Sequence, residues 1–255
     1  MNQQLLKPFC LILAFCFAFS FTYAQNSFIS QQKNAYRVAN AFMSKESKLQ
    51  NEFAAKNLAW PAKYVYMRSF KYDSQLEIWV KNSLKDKYTL FKTYRVCMQS
   101  GTMGPKRLQG DYQVPEGFYY INEFNPRSTY HLSLGLNYPN ASDRILSDSL
   151  RPGNGIYIHG SCVSIGCVAV SDSDIEEIYI MAGYARDAGQ EFIPVHIFPF
   201  RYNQKKSFDF FTNYVKSNPP LEKFALQLRK AYDDFEETNQ VPLILISRKG
   251  EYVIN

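Results

Sequence analysis

Histidine is scarce in this chain, with three in 255 residues, and cysteine nearly so, with five. Any metal centre or imidazole-based site must therefore be assembled from very few positions. Basic residues outnumber acidic ones 29 to 23, yet no dense Lys/Arg stripe occurs, which leaves nucleic-acid binding without a footing. The glycine-rich stretch over residues 100–117 lacks a closing G-K-[ST], so it reads as turn chemistry and not as a phosphate loop. No internal repeat is visible. One apolar run, residues 9–21, is too short for a comfortable membrane span.

That run has the form of an export signal. Lys7 is the only charge before it, and Thr22-Tyr23-Ala24 places small residues at a cleavage position. Residues 1–24 are expected to be a signal peptide, and a bulky Phe15 before Cys16 argues against a lipoprotein site. Cleavage leaves about 230 residues, enough for one large domain, and lowers the formal charge of +6 by one. The mature chain is expected to have no transmembrane segment and to act outside the cytoplasm, in the periplasm. Cys97, Cys162 and Cys167 remain, an odd number. In an oxidising compartment at least one thiol then lacks an intrachain partner.

Residues 25–61 form a polar segment with apolar residues at helical spacing, expected as one or two helices before the core. From Lys63 the pattern turns to strands: "KYVYMRSF", "SQLEIWVKN" and "YTLFKTYRVCM" are rich in β-branched and aromatic residues. "STYHLSLGL", "GIYIHG", "GCVAV" and "FIPVHIFPF" read as further strands, and "NYPNASDR" as a turn-rich loop. Ser171 caps a helix, and a second helix covers about residues 221–238. "VPLILIS" and "EYVI" form a hairpin through Lys249-Gly250. The expected fold is mostly β (β-rich α+β), with a core domain over 62–200 and a helix–strand extension of it over 201–255.

The stretch "IYIHGSCVSIGC" (156–167) carries the chemistry. Strand alternation puts Ile156 and Ile158 on one face and Tyr157 and His159 on the other. Cys167 opens the next strand eight positions later, within reach of the imidazole. Three readings compete. A Cys167 nucleophile with His159 as base would form a thiolate–imidazolium pair, oriented by the Gly160 carbonyl, with the backbone at Gly166 and Cys167 as an oxyanion hole. A metal reading, H-x2-C-x4-C, supplies only His159, Cys162 and Cys167. A Cys162–Cys167 disulfide is geometrically possible across the short loop. Two cysteines packed in a core strand remain a fourth, bland account.

"IHGSCVSIGC" resembles the active-site motif of L,D-transpeptidases with a YkuD-type catalytic domain, nearest the YafK-like murein L,D-transpeptidase branch. "GDYQVPEGFYYI", "NPRSTYHLSLGLNYPNASDR", "VAVSDSDIEEIY", "VHIFPFR" and "AYDDFEETNQVP" agree in order, so the resemblance covers roughly residues 62–255. It implies a YkuD-like fold and a role in cell-wall remodelling and cell shape. Cys167 would be the nucleophile, His159 the proton donor and acceptor, and Gly160 the residue whose carbonyl orients it. The substrate would be a peptidoglycan stem peptide, attacked without metal or cofactor through a thioester acyl-enzyme. His131, Tyr138, Arg144 and Ser164 are candidate substrate contacts, and Arg127 could meet a substrate carboxylate. Ile165 stands where most of the wider family has histidine. Two alternatives follow: an amidase that releases a protein or peptide attached to the wall diamino acid, and a non-catalytic wall-binding module with Cys162–Cys167 oxidised.

Overall fold

Alternating burial along one strand sets the layering of the molecule, for which a computed structural model describes residues 27–255. The expected signal peptide lies outside the described residues. On β8 (Ile193–Phe198), Val195 and Ile197 enter one apolar cluster while Phe198 enters another. The two clusters lie on opposite faces of the sheet, as period-2 alternation requires.

The first face is covered by helices. After α1 (Phe28–Gln32), α2 (Tyr36–Ala55) buries Val38, Ala41, Phe42, Leu49 and Phe53 at helical spacing. It packs on α4 (Asp172–Asp187), which buries Ile175, Ile178 and Tyr179 among others. Glu177 of α4 ties the layers together, receiving Lys48 Nζ at 2.7 Å, Lys92 Nζ at 2.7 Å and the Tyr94 hydroxyl at 2.9 Å. The second face is covered by α5 (Lys205–Val215), α6 (Pro219–Thr238) and a hairpin of β9 (Ile244–Ile246) and β10 (Tyr252–Ile254).

Eight strands form the sheet. They are β1 (Tyr64–Phe70), β2 (Gln75–Lys81), β3 (Thr89–Arg95), β4 (Gly117–Asn125), β5 (Ser133–Leu136), β6 (Tyr157–His159), β7 (Val168–Ala169) and β8, in spatial order β3-β2-β1-β8-β4-β5-β6-β7. The β1–β8 and β6–β7 pairs are parallel and the others antiparallel. The sheet is bent so far that its ends meet. Beyond β3, the Cys97 amide donates to the Ala169 carbonyl of β7 at 2.9 Å, and Met98 bridges the same residue.

That closure decides the cysteine pairing. It brings Cys97 against the loop that follows His159, and a disulfide joins Cys97 to Cys162, with 5.4 Å between Cα atoms. Cys167 is free. The Cys162–Cys167 disulfide, one of the competing readings of the sequence, is therefore corrected. A contact distant in sequence, created by the bent sheet, captures Cys162 first. It also removes Cys162 from the metal reading, which leaves that reading only His159 and Cys167.

Three further differences from the sequence expectations have local causes. "STYHLSLGL" is strand only from Ser133; residues 129–132 make a tight turn in which His131 has φ 68°. "NYPNASDR" contains a short helix, α3 (Ala141–Leu146), because Asn140 and Asp143 form a reciprocal capping box. Helix α5 was not anticipated, although Ser207, Phe211 and Val215 recur at its buried i, i+4 positions. The long loop over 99–116 is held from below by Lys71. Its buried ammonium donates to the carbonyls of Gly104 (3.1 Å) and Val114 (2.9 Å) and pairs with Glu116 at 3.0 Å.

The disulfide spans 65 residues of sequence. Loop-closure entropy for such a span is about 4 kcal/mol. Cys97→Ala/Cys162→Ala should lower unfolding free energy in urea by roughly 2–4 kcal/mol. A change under ~0.5 kcal/mol would mean the link does not constrain the fold.

Candidate active site

The site forms where β6 and β7 lie side by side. Their parallel register pairs Ile158 with Val168 and His159 with Ala169. Ile158 and Val168 face the core, both essentially inaccessible. His159 and Cys167 therefore share the other face, one pleat apart, with roughly 8 Å between Cα atoms by strand spacing and rise. Side chains of their length can bridge that gap.

His159 is held from several sides. Its Nδ1 is 2.6 Å from the Gly160 carbonyl, so Nδ1–H donates there and Nε2 is left as the basic nitrogen. The Tyr130 ring stacks on the imidazole with centroids 4.7 Å apart. The His159 carbonyl accepts from Val170 N at 2.9 Å. Burial pulls the imidazole pKa below 6.5, against the opposing effect of the Gly160 hydrogen bond.

Gly160 has no room for a side chain. A Cβ there would lie 2.5 Å from Asp172 Oδ1 and 3.1 Å from both His131 Cβ and Ile175 Cγ2. Its amide donates to the carbonyls of Tyr130 (3.2 Å) and Leu132 (3.3 Å). Ser161 (φ 70°) and Cys162 (φ 41°) then turn the chain through left-handed conformations. Such conformations cost about 1–3 kcal/mol each and persist only where neighbours enforce them. Asp172 does so by accepting from Ser161 N at 2.7 Å, and the Cys97 disulfide does so at Cys162.

Ser164 fixes the far end of the loop. Its Oγ accepts from the amides of Gly166 (3.2 Å) and Cys167 (2.9 Å) and donates to the Cys167 carbonyl at 2.7 Å. Gly166 adopts φ 133°, which side chains avoid, with the Gln113 carbonyl of the 99–116 loop beside it. The two amides expected to receive an oxyanion are thus held by Ser164. Ser164 itself, expected as a substrate contact, is the residue that shapes the turn.

The thiol's partner is the Gly155 carbonyl, 3.7 Å from Sγ; no hydrogen bond to the imidazole occurs among the described residues. Burial raises the Cys167 pKa above 9.0, and the Tyr157 backbone hydrogen bond and the Lys106 ammonium only partly offset it. Burial thus shifts both groups toward their neutral forms, against the expected thiolate–imidazolium pair.

The remaining candidates divide. His131 adjoins Gly160, but its Nε2 lies 2.9 Å from Glu176. Tyr138 is buried and donates to the carbonyls of Pro152 (2.9 Å) and Lys106 (3.3 Å), which supports the wall next to Gly155. Arg144 is exposed on α3 and Arg127 is exposed before the 128–132 turn; among the described residues neither has a polar side-chain contact with the other candidates. His196 is buried against Tyr66, Phe118 and Phe198, and burial followed by the Arg68 charge drives its pKa to about 3. Sequence reasoning missed Tyr130, Asp172, Lys106 and the role of Cys97. Only Asp172, the first residue after the Ser171 cap, carried a positional signal.

A thiol pushed above 9.0 by burial predicts that the thiolate ultraviolet absorbance difference between wild type and Cys167→Ser is absent at pH 7 and emerges only above about pH 9. A full thiolate difference at pH 6 would restore the ion pair.

Residues 74–197 match the YkuD family, described as the L,D-transpeptidase catalytic domain. An Escherichia coli K12 protein named "Putative L,D-transpeptidase YafK" is 36% identical over 193 residues, covering 75% of this chain and 74% of that protein. Its counterpart in strain O157:H7 matches equally. Among solved structures, the helical cell shape determining protein Pgp2 from Campylobacter jejuni aligns with TM-score 0.41 and 19% identity over 78% of this chain and 81% of that one. Bd1075 from Bdellovibrio bacteriovorus aligns with TM-score 0.40 and 21% identity over 61% and 57%.

Proposed function

Since the chain belongs to the YkuD family of L,D-transpeptidase catalytic domains, we propose that it is an exported, periplasmic cysteine acyltransferase acting on peptidoglycan stem peptides. The observation that carries this reading is the shared face of His159 and Cys167, with Nδ1 committed to Gly160 and Nε2 left free. No helix among the described residues is long and apolar enough to cross a membrane.

The chemistry follows from that arrangement. Cys167 Sγ attacks the amide carbonyl of the wall diamino acid while the thiol proton passes to His159 Nε2. The oxyanion is received by the Cys167 and Gly166 amides as Ser164 Oγ gives way. The C–N bond then breaks, Nε2–H protonates the departing amine, and a thioester remains on Cys167. An acceptor amine resolves the thioester to a new cross-link, losing a proton to His159. No cofactor takes part in these steps.

A second outcome is favoured by the exposure of the loop beside the thiol, where Val163 is 51% and Ile165 73% accessible. A thioester at such a loop is open to water, which would yield a shortened stem or release a protein or peptide attached to the diamino acid. This hydrolytic reading uses the same residues.

Purified protein lacking residues 1–24, incubated with isolated muropeptides and followed by mass analysis, tests both. Cys167→Ala should abolish product formation, and His159→Ala should lower kcat by about 100- to 10,000-fold. Undiminished turnover in Cys167→Ala would overturn the reading. Increasing free diamino-acid acceptor then measures partitioning. A substantial hydrolysed fraction at low acceptor is expected, and near-complete transfer there would refute the hydrolytic outcome.

A further inference from the structure

Helix α2 lies outside residues 74–197, the stretch matched to the catalytic family, yet it reaches the turn beside His159. Arg37, in its first turn, donates from one nitrogen, Nη1, to the carbonyls of Ser128 (2.6 Å) and His131 (2.9 Å). Those two carbonyls bracket the turn that lays Tyr130 on the imidazole of His159. The same turn gives the Tyr130 carbonyl to the Gly160 amide, and Gly160 in turn orients His159. We propose that Tyr130 is a positioning residue for the base and that α2 holds it in place by the Arg37 clamp. This rests on the reading of His159 as the base at Cys167.

The physical argument is one of restraint. An imidazole anchored only through Nδ1 can still rock about that bond. A ring stacked on its face removes that freedom and excludes water from the same face. The turn cannot hold this shape unaided, because His131 sits at φ 68°, a conformation a β-unbranched residue tolerates only when its neighbours fix it. Arg37 fixes it from α2. A second contact, His131 Nε2 to Glu176, fixes it from α4, and Lys45 of α2 reaches Glu176 at 3.7 Å and Ser173 at 2.7 Å. The N-terminal helix thus touches the turn directly and through α4.

The groups facing His159 are few enough to interpret a titration. They are the Gly160 carbonyl, the Tyr130 ring, Ser133 opposite it on β5, Tyr157 and Cys167 on its own face, and Lys106 beyond the thiol. Asp172 and the His131–Glu176–Lys45 group lie behind Gly160. Of these, the Tyr130 ring is the one whose removal opens an imidazole face to water. Lost burial should move the His159 midpoint up toward 6.5, since burial is what lowers it.

The test is a nuclear magnetic resonance titration of the three histidine rings in the mature chain, with His159 assigned through His159→Gln. It needs no wall substrate, so it stands even if the acyl-transfer reading fails. Tyr130→Ser should raise the His159 midpoint and move the acid limb of kcat/KM with it. Tyr130→Phe, which keeps the ring face, should restore both. Arg37→Met should shift the midpoint in the same direction by a smaller amount and lower kcat about threefold or more. Arg37→Lys, which keeps a donor at similar reach, should return toward wild type. An unshifted or lowered midpoint in Arg37→Met, in protein whose circular dichroism is unchanged, would overturn the clamp. If His159→Gln leaves turnover intact, the base assignment itself fails, a result distinct from that one.

Discussion

The backbone of Gly160 is the point on which the site depends. Its carbonyl anchors the imidazole of His159 at 2.6 Å, and its amide is shared by the carbonyls of Tyr130 and Leu132. The space where a side chain would stand is taken by Asp172, His131 and Ile175. One backbone unit therefore joins strand β6, the turn before β5 and the start of α4. Moving any of them moves the imidazole of His159. That explains why a glycine is required at a position whose backbone conformation alone would not demand one.

A second constraint sets Cys167. The bent sheet returns the end of β3 to Ala169, and the Cys97–Cys162 bond fastens that end to the loop between His159 and Cys167. Ser164 closes the turn at its other end. The loop is thereby fixed at Ser161, Cys162 and Ser164 while Val163 and Ile165 project outward. Burial shifts both side chains, His159 and Cys167, toward their neutral forms.

Much of this was legible in the sequence, for identifiable reasons. The strands over 64–95 carried β-branched and aromatic alternation, and Ser171 announced α4 by its cap. The order Ile-Tyr-Ile-His put His159 on the open face because Ile156 and Ile158 could only face the core. What was hidden depended on contacts distant in sequence. Cys97 meets Cys162 because the sheet closes, so the only disulfide that local spacing offered, Cys162–Cys167, was not the one formed. Tyr130 lies in a stretch that reads as strand; the left-handed His131 that breaks it is stabilised by Arg37, more than ninety positions earlier. Thiol and imidazole spacing suggested an ion pair, whereas burial, which spacing does not encode, shifts both groups toward their neutral forms. The capping box of α3 was present in the letters as Asn140 and Asp143 and was masked by the surrounding turn formers.

The account stands on a covalent intermediate at one sulfur. Intact-protein mass spectrometry of the mature protein, quenched in acid shortly after mixing with a muropeptide donor, tests that most directly. The expected result is a mass increase equal to the acyl portion of the donor, located to Cys167 by peptide mapping, lost on treatment with hydroxylamine, and absent in Cys167→Ser. A protein that turns over donor while Cys167 carries no adduct and remains fully alkylatable throughout would contradict it.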